Sequence, residues 1–134
     1  MANASERTDG GRPPLLRWWL VAACVALIFT LSSIPGLAVP GTFEYRDKIA
    51  HALEYGGLSW LVWRAAGATW PAAPKLTRGL VTALAISALG ALDEKFQAHV
   101  PGRESSVYDW MADTLGASLA QVVSLRREKH GGGA

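Results

Sequence analysis

His51 stands in "DKIAHALEY" with Asp47 four residues before it, Glu54 three after and Tyr55 four after. At 3.6 residues per turn this spacing puts all four on one helical face. Histidine is the side chain that titrates near neutrality without perturbation, so His51 is a candidate general base or nucleophile, with Asp47 or Glu54 to orient it. A second polar group follows in "DEKFQAHVPGRESSVYDWMAD", Asp93 to Asp113. There Asp93 and Gln97 are spaced i, i+4, Glu94 and Gln97 i, i+3, and Asp109, Asp113 and Gly116 i, i+4, i+7. Desolvated, Asp93, Glu94 or Asp113 is a candidate general acid. His51, Asp93 and Glu94 form the candidate catalytic set.

The same stretch offers ligand-binding chemistry. "PGRESS" sets Arg103, Ser105 and Ser106 at the start of a predicted helix, where free backbone N–H groups and the helix dipole attract anions. Arg103 suits phosphate through its fork of donors, and Lys48 is a second cation; with Gln97 and the two serines they form the candidate substrate-binding set. Asp47, Glu54, Tyr55, Asp109 and Asp113 are expected to support the pocket. A divalent cation is a further option, through the pairs Asp47–His51 and Asp109–Asp113 with Asp93 and Glu94 nearby. Neither an H-E-x-x-H nor a di-iron E-x-x-H signature accompanies them. The competing account is structural: an interhelical lattice of hydrogen bonds and ion pairs that only holds the fold. In that account Ser106 and Asp109 are a capping pair, "SSIPG" is a helix ending at a proline, and Glu44, Arg46, Lys95 and Glu104 are solvated charges. The same groups would also suit a proton relay in a transporter, although four spans without a repeat make a poor solitary carrier.

What must position these groups is hydrophobic. Apolar residues make up 50% of the 134, at the top of the range for soluble proteins, so their distribution decides more than their number. "WWLVAACVALIFTLSSI", Trp18 to Ile34, is 17 residues without a charge, close to the ~20 that span a bilayer. A signal peptide also fits that run, with Arg12 and Arg17 before it and a weak small-x-small site near Gly36-Leu-Ala38. Three further apolar stretches argue for a span, and one anchor plus a small soluble helical domain is the alternative. Extended into their polar ends, the runs predict helices near 15–34, 47–69, 76–98 and 105–125. The expected fold is an all-α, membrane four-helix bundle with a domain over 15–125 between disordered tails, 1–14 and 126–134. Cys24 is the one cysteine, which rules out an intrachain disulfide.

Charge sets the orientation. With four spans, Arg7, Arg12, Arg17, Arg64, Lys75, Arg78, Arg126, Arg127 and Lys129 share one side, nine of the 13 Lys and Arg. The positive-inside rule puts that side, and both termini, in the cytoplasm, with Trp18, Trp19, Trp63 and Trp70 as an aromatic belt there. Eight of the 11 carboxylates lie on the outer half. Asp113 falls ~10 Å below the start of its helix at 1.5 Å per residue, a depth at which polar stripes are tolerated only when they face one another or water. The expectation is a polar funnel open to the outside. Small residues every four positions, Gly79, Ala83, Ser87 and Ala91 against Ala112, Gly116 and Ala120, are expected to let helices 3 and 4 approach and bring Asp93 towards Asp113. The basic residues are spread along one membrane face, so nucleic-acid binding lacks support.

"LSSIPG", "DKIAHALEYGGLSWL" and "DEKFQAHVPGRESSVYDWMADTLGASLA" together resemble the VanZ-like family of small integral membrane proteins, over Leu15 to Val123. Two departures are Ala120, where the family often has a second Gly, and Asp113, where Asn is also frequent. The resemblance implies a multi-pass protein of the bacterial cytoplasmic membrane, linked through its namesake to resistance to the glycopeptide teicoplanin. It implies no settled reaction. The sharp expectation is therefore an outward pocket that binds or acts on a membrane lipid or a polyprenyl-linked envelope precursor bearing phosphate. The alternative is a non-catalytic accessory or binding protein with a structural polar lattice.

Overall fold

The computed structural model describes residues 13–41 and 45–130; Arg7, Arg12, Glu44, residues 131–134 and nearly all of the expected N-terminal tail lie outside them. Four helices follow in order: α1 (Pro14–Ser32), α2 (Arg46–Thr69), α3 (Lys75–Gln97) and α4 (Val107–His130), with no strand among the described residues. Prolines punctuate them. Pro14 opens α1, where its missing N–H would lack a partner anyway, and Pro35, Pro71 and Pro101 lie shortly beyond the ends of α1, α2 and α3. The helices match the predicted ones except at the C-terminus, where α4 runs on through Arg126 and Lys129 to His130. That part of the expected tail is helical because Glu128 is tied to α3, through Arg78 and Lys75.

The interior is polar and the exterior oily. Among the described residues, buried polar and charged side chains (Asp93, Glu94, Gln97, Asp109, Asp113 and Gln121 among them) outnumber buried hydrophobic ones. Leu53, Leu80, Leu84, Leu115 and Leu119 all point outwards. The apolar core is a small cluster of Ile28, Tyr55, Leu58, Ile86 and Ala117. Among the described residues two helices, α1 and α3, are long and apolar enough to cross a membrane, and only 17% and 28% of those windows are buried within the protein. A core helix of a soluble protein would hide its apolar face; these present theirs outwards.

The tightest backbone approach corrects the sequence expectation. Gly116 faces α2, not α3: a Cβ built there would lie 2.0 Å from the Ala52 carbonyl oxygen, and one on Gly56 would lie 3.2 Å from the Gly116 oxygen. On α3 the buried stripe is Gly79, Thr82, Ile86, Gly90 and Asp93, whereas Ala91 is exposed and Ser87 meets Thr114 at 2.7 Å. Gly90, not Ala91, receives α4, its vacant Cβ direction leading to Asp113 Oδ2 at 2.9 Å. Trp63 also departs from the expected belt. It is buried, with the Arg78 guanidinium 3.8 Å over its ring.

Candidate functional site

The polar stripes meet at the end of the bundle formed by the C-termini of α1 and α3 and the N-termini of α2 and α4. Two Pro-Gly turns frame that end. Gly36 and Gly102 adopt φ of 65° and 74°, values open to glycine without a Cβ penalty. A Cβ on Gly102 would sit 3.3 Å from the Gly36 nitrogen, so the two loops touch backbone to backbone. Arg103 then donates to the Leu37 carbonyl at 2.6 Å and Arg46 to the Val39 carbonyl at 2.6 Å. Both arginines thereby hold the α1–α2 loop against the bundle.

Beneath the loops is a cleft of about 510 Å³. Of the residues singled out in the sequence, Asp47, His51, Glu54, Gln97, Arg103 and Asp109 line it. Arg46 and Glu104 join them, and Leu31, Leu37, Val39, Pro40 and Ala50 supply an apolar wall. Lys48, Tyr55, Asp93, Glu94, Ser106 and Asp113 are not on its lining; Ser105 is exposed.

Behind the lining, three polar groups tie the helices together. His51 Nδ1 lies 2.9 Å from Asp113 Oδ1, with Asp113 0% exposed. With Asp113 ionised the carboxylate can only accept, so Nδ1 would donate and Nε2 would be left for chemistry. Asp93 accepts from Ser32 Oγ and from Gln97 Nε2, each at 2.9 Å, which joins α1 to α3. Lys48 Nζ bonds Asp47 Oδ2 at 2.7 Å and also reaches Asp109 Oδ1. Tyr55, buried completely, lies within electrostatic reach of both Asp93 and Asp113.

Several partners differ from the sequence expectation. His51 is oriented by Asp113 on α4 rather than by Asp47 or Glu54 on its own helix. Ser106 does cap α4, accepting the Tyr108 N–H at 3.2 Å. The reciprocal acid, however, is Glu94, which accepts the Ser106 N–H at 2.7 Å, while Asp109 turns to Lys48. Lys48 is thus held between two carboxylates that line the cleft, and is not itself on the lining. Ser32 was missed: it lies on the last turn of a helix that carries no charge after Arg17. Ser59 and Gln121 were missed as well. They extend the stripes of α2 and α4 by further i+4 steps, Ser59 from Tyr55 and Gln121 two steps from Asp113, and bond at 2.7 Å.

The arrangement supports two kinds of chemistry. A buried Asp–His pair opening towards a cleft is the geometry of an oriented general base. Ligand atoms of His51, Glu94 and Asp109, from α2, α3 and α4, also lie within 4.8 Å of one another, close enough for one cation. The metal pairs expected from sequence, Asp47–His51 and Asp109–Asp113, are not the group that converges. No curated protein and no solved structure matches the chain. The VanZ/LLP1 family model matches residues 17–126.

Proposed function

The chain belongs to the VanZ/LLP1 family, and from that membership we propose that it is a multi-pass protein of the bacterial cytoplasmic membrane whose polar cleft faces outwards and handles a phosphate-bearing envelope lipid. Four spans are supported by the reversed polarity of the bundle. The central helices α2 and α4 have lower apolar content because their inner faces carry the stripes, while Leu53, Leu115 and Leu119 face outwards. The excess of Lys and Arg at the opposite end supports an orientation with both termini in the cytoplasm.

The observation that carries the functional reading is that Arg46 and Arg103 line the same cleft as His51, together with an apolar wall. Guanidinium groups suit the phosphate, the apolar wall suits the first carbons of a lipid chain, and His51 with Asp113 behind it suits proton transfer at the headgroup. Gln97 reaches the ligand from the cleft lining. Asp93, held by Ser32 and Gln97, serves as a positioning residue, and Glu94 is the acid nearest to His51 on α3. If the ligand is an envelope precursor exposed to glycopeptides, altered teicoplanin susceptibility follows from its handling.

Native mass spectrometry of the detergent-purified protein tests this. The expected result is a retained phospholipid or polyprenyl phosphate, reduced about tenfold in Arg103→Ala, the loss of one charge-assisted contact worth ~1.4 kcal/mol. Protein free of any phosphate-bearing lipid, or retention unchanged by the substitution, ends the reading. A reporter fused after Gly102 should score as periplasmic.

A second reading is favoured by one observation: Glu94 Oε1 is buried without a donor, beside His51 and Asp109. A divalent cation held by these three would meet that oxygen and polarise a phosphate in the cleft, and Asp113 on Nδ1 is the usual outer support for a ligating histidine. Calorimetric titration with Zn²⁺, Mn²⁺ and Mg²⁺ should then show one site, weakened 10- to 100-fold or more in Glu94→Gln. Identical isotherms for the two proteins would exclude the site.

A further inference from the structure

The far end of the bundle holds a second cleft, of about 670 Å³, and its walls are basic. Arg17 from α1, Arg64 from α2, Lys75 and Arg78 from α3 and Arg127 from α4 line it, with Glu128 as the one carboxylate among its lining residues. In the sequence these cations looked dispersed along a face. The fold gathers them from all four helices around one hollow.

Some of them form the floor. The Arg78 side chain is 8% exposed, stacked 3.8 Å from the Trp63 ring and bonded to Glu128 at 2.9 Å. Gly67 leaves room for it, since a Cβ there would lie 3.1 Å from the guanidinium nitrogen. Glu128 also accepts from Trp63 Nε1 at 3.1 Å and pairs with Lys75 at 3.2 Å. Among the lining residues one carboxylate thus stands against five cations, and it is engaged with two of them, Arg78 and Lys75. Arg64 and Arg127 are exposed at its rim, Arg64 lying 5.1 Å over the Trp60 ring. The N-terminus of α3, which begins at Lys75, adds the positive end of a helix dipole.

A membrane protein needs cations at its cytoplasmic ends for topology, but topology asks only for their number near the interface. It does not require them to converge from four helices on one hollow with indole walls. Basic pockets between spans on that side suit headgroups bearing several phosphates. We propose that this cleft binds a phospholipid headgroup that carries two phosphates. The arginine forks take the phosphates, and Trp60 and Trp63 line the side where the headgroup meets the apolar region. The proposal rests on the orientation proposed above, and not on the ligand of the cleft around His51.

The test uses the full chain in nanodiscs or detergent, with tetraoleoyl cardiolipin, dioleoyl phosphatidylglycerol and inorganic pyrophosphate as probes. Retention in native mass spectrometry should favour the two-phosphate lipid over the one-phosphate lipid about tenfold, a difference of ~1.4 kcal/mol. It should weaken with added salt. The variant Arg64→Ala/Arg127→Ala, confined to exposed side chains, should lose that preference, while Lys95→Ala, an exposed cation at the other end, keeps it. If the double variant fails to purify as a single species, Arg127→Gln alone carries the test with about a threefold loss. Equal retention of the two lipids, or an unchanged preference in the variants, overturns the proposal. Pyrophosphate binding more tightly than the two-phosphate lipid overturns the lipid as the ligand.

Discussion

Gly116→Ala should destabilise the bundle by about 3 kcal/mol or more, the upper range for overpacking a well-filled interior. The added methyl has nowhere to go. It would fall 2.0 Å from the Ala52 oxygen and 2.8 Å from its Cα, both backbone atoms of α2, so the helices must separate rather than a side chain rotate. That separation would also widen the gap that His51 and Asp113 span, since both flank the same crossing. Gly57→Ala is the matching control. No atom lies within 4 Å of a Cβ at that position, so it should be neutral or slightly stabilising through helix propensity. Denaturation midpoints in detergent, read by far-UV circular dichroism, separate the two. A wild-type midpoint for Gly116→Ala would mean that α2 and α4 do not approach as described.

His51→Ala should be the second severe substitution, for an electrostatic reason. Asp113 is fully buried, and His51 Nδ1 is its partner across the helices at 2.9 Å. Removing one member of a buried pair leaves the other uncompensated, which costs about 3 kcal/mol or more. His51→Ala/Asp113→Asn should recover most of that loss, because the amide carries no charge to desolvate. The double variant should still fail in any proton transfer, because Nε2 is gone. This contrast separates the functional reading from a purely structural lattice. In a lattice, restored stability restores every phenotype; in a working site it does not. A wild-type cellular phenotype in the double variant would remove His51 from the machinery.

Much of the fold was legible because its causes are local. Apolar runs long enough to span lipid, prolines that interrupt them and the 3.6-residue period locate four helices within a few residues of where they occur. Each polar stripe was legible for the same reason, since i, i+4 spacing places Asp47 and His51, Asp93 and Gln97, or Asp109 and Asp113 on one face of their own helix. The Pro-Gly pairs at Pro35-Gly36 and Pro101-Gly102 announced turns, though not that the two turns would lie against each other.

What periodicity leaves open is the rotation of one helix against another. The sequence assigned His51 to Asp47 or Glu54 because they are neighbours in the chain; the structure assigns it to Asp113. The distance at which α2 meets α4 depends on Gly56, Ala52 and Gly116 fitting together, and that fit rotates Asp113 towards His51. The same rotation turns Asp109 to Lys48, leaves the acid of the α4 capping pair to Glu94 and carries Ser59 to Gln121. At the other end it draws cations from four helices around one hollow. Helix content and the polar face of each helix were written in the chain by local spacing and hydrophobicity. Which faces meet was decided only by close packing in three dimensions, because backbone contact at a few small residues fixes angles that no single helix encodes.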